Sequence, residues 1–351
     1  LLSRGLGDVY KRQAQPFVGA LADKHGSGRV AAAGGLLYAF ALALAGMAGS
    51  ALGINLSLGL LAGIAMTGIT FVVVLGAVGR AVPPERRGTA IGIATAGGSF
   101  GQFMVVPLTQ GLISSFGWRE TMLLGAVLAL AIVVLARGIA GLPAGGPASA
   151  VRQQSLGEAL REASRHPGYW LLNFGFFVCG FHVAFISTHL PAFLSDQGLD
   201  PAVGARALAL IGLFNIVGSY VFGLSADRLR KKYVLSALYF ARSAVIVVFL
   251  AVPFTPLSAT LFACAIGFLW LGTVPLTSGL VSQIFGVRYL ATLFGIVFMS
   301  HQVGGFFGAW LAGRFFEDSG SYDLAWQVSV ALGLLAGLVN LPIRDLSLIH
   351  I

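Results

Sequence analysis

Val30-Ala-Ala-Ala-Gly-Gly-Leu-Leu-Tyr-Ala-Phe-Ala-Leu-Ala-Leu-Ala-Gly-Met47 is an unbroken run without a charged residue. Its length is close to the ~20 residues, at ~1.5 Å each, that a helix needs to cross ~30 Å of hydrocarbon. Nine more such stretches begin near Ser57, Gly88, Trp118, Tyr169, Gly204, Tyr233, Leu257, Leu290 and Leu324. Inside a bilayer only helices or closed barrels satisfy their own backbone. The chain therefore reads as an all-α membrane protein, whose chemistry resides in polar groups among the helices.

Composition agrees with this reading. Of 351 residues 57% are hydrophobic and 10% charged, and the mean hydropathy is +0.86; a soluble domain carries roughly 25% charged residues. The net charge of +9 does not mark a nucleic-acid binder, because the basic residues sit in short loops beside the spans. Cys179 and Cys264 both fall inside spans and have no metal-ligand or CxxC spacing. Neither a serine–histidine dyad nor paired carboxylates occur at membrane depth, so an enzyme is not expected, and nothing calls for a cofactor.

The two ends have a different origin in this reading. Asp8-Val-Tyr-Lys-Arg-Gln13 and Leu346-Ser-Leu-Ile-His-Ile351 can be encoded by opposite strands of one DNA word, GATGTGTATAAGAGACAG. They look like a translated sequencing-library adapter, so 1–13 and 346–351 are set aside from fold reasoning.

Loop charge gives the orientation. Fifteen Lys and Arg fall in one alternate set of loops, from Lys24 and Arg29 through Arg86 and Lys231 to Arg344. The other set holds Arg119, Arg206 and Arg314. Fifteen against three makes the first set, and with it the C-terminus, cytoplasmic. The chain also repeats: Gly19-Ala-Leu-Ala-Asp23-Lys24 matches Gly223-Leu-Ser-Ala-Asp227-Arg228 at an offset of 204. That offset also pairs Gly63 with Gly267 and Gly68 with Gly272, while an offset of 203 pairs Gly92-Ile93 with Gly295-Ile296. Two look-alike bundles follow, the plan of many secondary transporters. The expected division is a first half-bundle at 14–141, a cytoplasmic linker at 142–168 and a second half-bundle at 169–345. By the offset, the first half lacks its first helix and most of its second, and the intact bundle has twelve. Ser155-Leu-Gly-Glu158 predicts a capping box opening a short surface helix in the linker.

At this point the residues carry a resemblance. Gly19 to Arg29 resembles the loop signature between the second and third helices of the major facilitator superfamily. Gly223 to Lys232 resembles its degenerate copy between helices eight and nine. Pro84-Glu-Arg-Arg-Gly-Thr-Ala-Ile-Gly92 is similar to the helix 4–5 junction of the superfamily's monocarboxylate-transporter-like branch. Thr188-His-Leu-Pro-Ala-Phe-Leu194 and Trp270-Leu-Gly-Thr-Val-Pro275 resemble bacterial members of that branch. The resemblance implies twelve helices in six plus six, alternating access and residence in a bacterial inner membrane. An Arg-x-x-Gln-Gly motif common in proton-coupled members does not occur.

The loop motif has its own physics. Gly19 and Gly223 permit close helix approach. Asp23 and Asp227, beside Lys24, Arg29 and Arg228, can pair with a cation or with a neighbouring helix N-terminus. Such a contact reads as a gate latch rather than a solute site, or as ordinary surface charge that fixes topology. Within the spans, polar side chains are functional candidates by default. Arg242 can bind an anion, or it can snorkel or pair with Asp227. His182 and His301 sit mid-span, where an imidazole can bind an anion, relay a proton, or simply bond a carbonyl. Trp270, between Gly267 and Gly272, can seal a solute or pack. Asn173, Asn215, Gln102 and Gln302 line a cavity or join helices. Gly97-Gly98, Gly304-Gly305 and Gly308 read as packing and hinge positions, not phosphate loops.

The leading expectation is a secondary active transporter of a small organic anion, above all a monocarboxylate, driven by a coupled proton or other ion. Alternatives are an efflux pump for amphipathic compounds and a non-transporting membrane sensor.

Overall fold

The computed structural model describes residues 15–139 and 154–345, all but the side chains at 102, 106 and 107. The adapter-like ends, Ala14 and the first part of the linker lie outside the described residues, as does the side chain of Gln102. The elements are α1 (Gln15–His25), α2 (Ser27–Met47), α3 (Ala51–Ala81), α4 (Arg87–Phe116), α5 (Trp118–Leu135) and α6 (Leu156–Arg165). They continue with α7 (Pro167–Asp196), α8 (Pro201–Arg228), α9 (Lys231–Ala251), α10 (Pro256–Phe285), α11 (Leu290–Ser319) and α12 (Asp323–Asn340). Among the described residues, ten helical segments are long and apolar enough to span a bilayer.

Local chemistry sets the ends. Asp200 accepts from Ala202 N at 2.7 Å and Pro201 opens α8; proline at that position gives up only a donor that would be orphaned. Thr255 and Ser258 form a reciprocal cap at the start of α10. Gly26, at φ 92°, supplies the turn from α1 into α2 that a residue with a Cβ would strain to make. The capping box at Ser155–Glu158 forms as the sequence predicts. The apolar side of α6, however, faces the bundle: Ala159 and Ala163 are buried and Leu160 packs on the core. That burial takes its apolar stripe away from the lipid surface.

α1–α5 form one half and α7–α12 the other. The halves meet where α1 packs on α11, α4 on α8 and α4 on α10. Large apolar side chains face outward, with Leu52, Leu56, Leu60 and Ile64 making an exposed stripe on α3, as expected for a surface solvated by lipid.

Two helices are interrupted. α3 loses its helical course at 68–70 and α10 at 269–272. Because 68 + 204 = 272, the two breaks are repeat-related. Paired discontinuous helices in corresponding places of two halves are the structural mark of a central binding site.

Candidate functional site: a cavity between the halves and two reciprocal helix caps

A cavity of about 650 Å³ lies between the halves, and both helix breaks face it through Ile69, Thr70, Trp270 and Leu271. Its walls are largely apolar, with Phe71, Phe298 and Trp270 the aromatic members. Polar atoms come from Thr70, Ser99, Ser187, Asn215, His301 and Gln302. Among the described residues that line it, His301 is the one titratable group.

Asn215 is a node. Its Nδ2 donates to Ser99 Oγ on α4 at 2.6 Å, crossing between the halves. Its Oδ1 accepts from Leu271 N at 2.9 Å, a donor freed by the break in α10, and from Ser219 Oγ at 3.2 Å. His301 stacks on Phe298 with ring centroids 5.3 Å apart and tilts against Phe176. Its Nδ1 is buried with no hydrogen-bond partner among the described residues, so the ring holds unused polar capacity beside the cavity.

Four of the sequence candidates, Asn215, Trp270, His301 and Gln302, thus come together. His182 and Arg242 do not join them. His182 is 1% exposed, and its Nε2 bonds Ser329 O at 2.8 Å on α12. Arg242, also 1% exposed, donates to the carbonyls of Leu269 and Trp270 behind the cavity wall. It neither snorkels nor reaches Asp227. Asn173 joins helices, bonding Ser300 Oγ at 2.7 Å.

At the end of the bundle carrying most Lys and Arg, the motif carboxylates make matching contacts. Asp23 Oδ2 accepts from Thr292 N at 2.8 Å and Thr292 Oγ1 at 2.7 Å, at the start of α11. Its Oδ1 takes Arg80 Nη1 at 2.7 Å. Asp227 accepts from Gly88 N at 2.6 Å, and from Thr89 N at 2.7 Å and Thr89 Oγ1 at 2.6 Å, at the start of α4. Each half thus caps a helix of the other. Unpaired N–H groups and the positive dipole end make a helix N-terminus a natural seat for a carboxylate. A Cβ on Gly19 would lie 2.5 Å from Ala291 O, and one on Gly223 2.7 Å from Gly88 O, so close backbone approach requires glycine at both. Lys24, Arg29 and Arg228 are exposed or partly so and make no ion pair among the described residues.

Thr89 and Thr292 are partners that sequence reasoning missed. They match at 292 − 89 = 203, the offset that already paired Gly92 with Gly295. Asp345 was missed as well. It holds Arg230 Nη2 at 2.8 Å and faces Lys232 Nζ at 3.8 Å. Burial pushes its carboxyl up, but the Arg230 hydrogen bond and the Lys232 charge outweigh that and leave it below the ordinary 3.8.

Two interlocked helical halves around a central cavity define a secondary-transporter bundle. Residues 14–309 match the family model of the Major Facilitator Superfamily, and the chain belongs to that superfamily. It is a multi-pass membrane protein that moves a small solute by alternating access. It is 28% identical over 348 residues to monocarboxylate transporter 13 of Rattus norvegicus, covering 96% of this chain and 78% of the relative. It is 27% identical over 277 residues to the uncharacterized MFS-type transporter YcxA of Bacillus subtilis (strain 168), covering 74% and 65%. In fold it resembles the crystal structure of the E. coli fucose:proton symporter FucP, with a TM-score of 0.75 at 18% identity over 95% of this chain and 88% of that one.

Proposed function

We propose that the protein carries a small organic anion, most simply a monocarboxylate with an apolar body, across a bacterial inner membrane. The observation that carries this reading is the cavity itself, with His301 beside Asn215 and Trp270 and walls built mainly from Phe71, Phe298 and aliphatic side chains. An imidazole can carry a positive charge near neutral pH and give it up again, which suits a weak acid moving with a proton. The apolar walls suit the body of such a solute. Similarity to monocarboxylate transporter 13 of Rattus norvegicus supports the same class.

In this reading the basic end is cytoplasmic, and Asp23 and Asp227 are gate latches that hold it shut while the cavity communicates with the other side. Loading in the cavity favours the state in which the latches part. The experiment is uptake and accumulation in proteoliposomes, with and without an imposed pH gradient, over a panel of aliphatic and aromatic monocarboxylates. Gradient-driven accumulation of at least one member is expected. Absence of accumulation for every anion, combined with outward movement of cationic amphipathic dyes, would replace this reading with the second one, efflux of amphipathic compounds, which the aromatic walls alone also favour.

A further inference from the structure

The first piece of α10 ends at Phe268, and the last carbonyls of a helix have no partner within it. Two carbonyls at this end are taken by one side chain from α9. Arg242 Nε donates to Leu269 O at 3.0 Å and Nη2 donates to the same oxygen at 2.7 Å, while Nη2 also reaches Trp270 O. The guanidinium lies over the Tyr239 ring, 5.6 Å from its centroid.

A buried cation normally needs a counter-charge. No ion pair to Arg242 forms among the described residues. Compensation for Nε and Nη2 comes from the half-helix, whose C-terminal end carries negative dipole and open carbonyls, while Nη1 is buried with no hydrogen-bond partner among the described residues. Across the interruption, Leu271 N is held by Asn215 Oδ1. Trp270 stands between these two fastenings, in the cavity wall.

The geometry points to Arg242 as a positioning residue: it fastens the interrupted backbone of α10 and so sets where Trp270 stands against the solute. Two of its three nitrogens serve the protein's own backbone. Only a planar fork can serve neighbouring carbonyls in this way, a geometry that Lys does not share. The first half is built differently. The repeat-related position, 242 − 204 = 38, is Tyr38, and around the α3 break Thr70 Oγ1 bonds Thr67 O at 3.2 Å while Thr67 Oγ1 bonds Ile64 O at 2.6 Å. The two breaks therefore differ in their fastening, and the tryptophan side is the one tied by a cation.

The test is hydrogen exchange on the purified protein with no solute present, for the parent, Arg242→Lys and Arg242→Gln. The parent backbone over 269–273 is expected to be protected despite its non-helical course. In Arg242→Gln its exchange rises about tenfold, the loss expected for charge-assisted hydrogen bonds, with Arg242→Lys in between and the other helices unchanged. Acrylamide quenching of Trp270, read as the difference between each protein and its Trp270→Phe counterpart, rises in the same order. Parent exchange over 269–273 at the rate of an open loop would overturn the inference without any variant, which covers the case in which the variants do not fold. So would unchanged exchange and quenching in both variants, or a general loosening that leaves the Trp270 signal where it was. Neither readout needs a transported solute, so a failed uptake assay and a failed exchange experiment are separate results.

Discussion

Asp23 shows how much a single carboxylate can be asked to do. It closes the N-terminus of α11 with two hydrogen bonds and holds Arg80 with its other oxygen. A carboxylate so placed at a helix start contributes up to ~2 kcal/mol, roughly thirtyfold in a two-state equilibrium. Asp23→Asn should therefore lower turnover by about tenfold or more while changing solute affinity much less. Initial-rate uptake beside equilibrium binding checks this, and unaltered turnover removes the latch. In the proposed reading His301 acts at the other end of the cycle. His301→Gln keeps the volume and removes the imidazole beside the cavity, so it should weaken apparent affinity by about tenfold. Parental affinity returns the imidazole to packing against Phe298. His182 and Arg242 show why depth alone misleads. Position along a span is legible in the sequence, but a helix turns about 100° per residue, and which way a mid-span side chain faces depends on neighbours that come from elsewhere in the chain. Ser329 and the Leu269–Trp270 carbonyls could not be named before the helices were placed.

Elements make the interlock possible. α7 lies along α11 with Gly180 against the His301 carbonyl, where an added Cβ would collide with backbone. Gly180→Ala should cost about 1–3 kcal/mol by overpacking, read as a lower unfolding temperature in detergent, whereas Gly212→Ala, which meets nothing within 4 Å, should leave it unmoved. The C-terminal end is tied by Asp345 to Arg230 and Lys232. A carboxyl held below its unfolded value stabilises the fold above that value and loses the contribution as pH falls through the folded one. Asp345→Asn should therefore flatten the acid side of the stability profile, measured as unfolding temperature against pH below ~4. Much of this architecture was readable beforehand. The matched glycines Gly68 and Gly272 fall on the two breaks, and the capping box at Ser155 opened α6 where expected. The destination of α6 was not readable, because an apolar stripe fits a lipid surface and a protein surface equally well.

At the scale of the whole molecule, alternate loop charge predicts one orientation. Arg86→Cys and Lys231→Cys, which flank the Asp227 contact from the two halves, should both react with an impermeant maleimide supplied from the cytoplasmic side, and neither from the other. Labelling from opposite sides would dismantle the two-bundle account. The reciprocity of the caps has one more consequence. Each half holds a carboxylate that belongs, energetically, to a helix of its partner, and both contacts lie at the same end. A rigid rotation that withdraws one must withdraw the other in the same stroke. In the proposed latch reading the two contributions, ~2 kcal/mol each at most, then add within a single step and weight the shut form by up to about a thousandfold. A half-open pore, leaky to protons and solutes alike, would have to forfeit one contact while keeping its twin, which a rigid rotation of one half against the other does not allow.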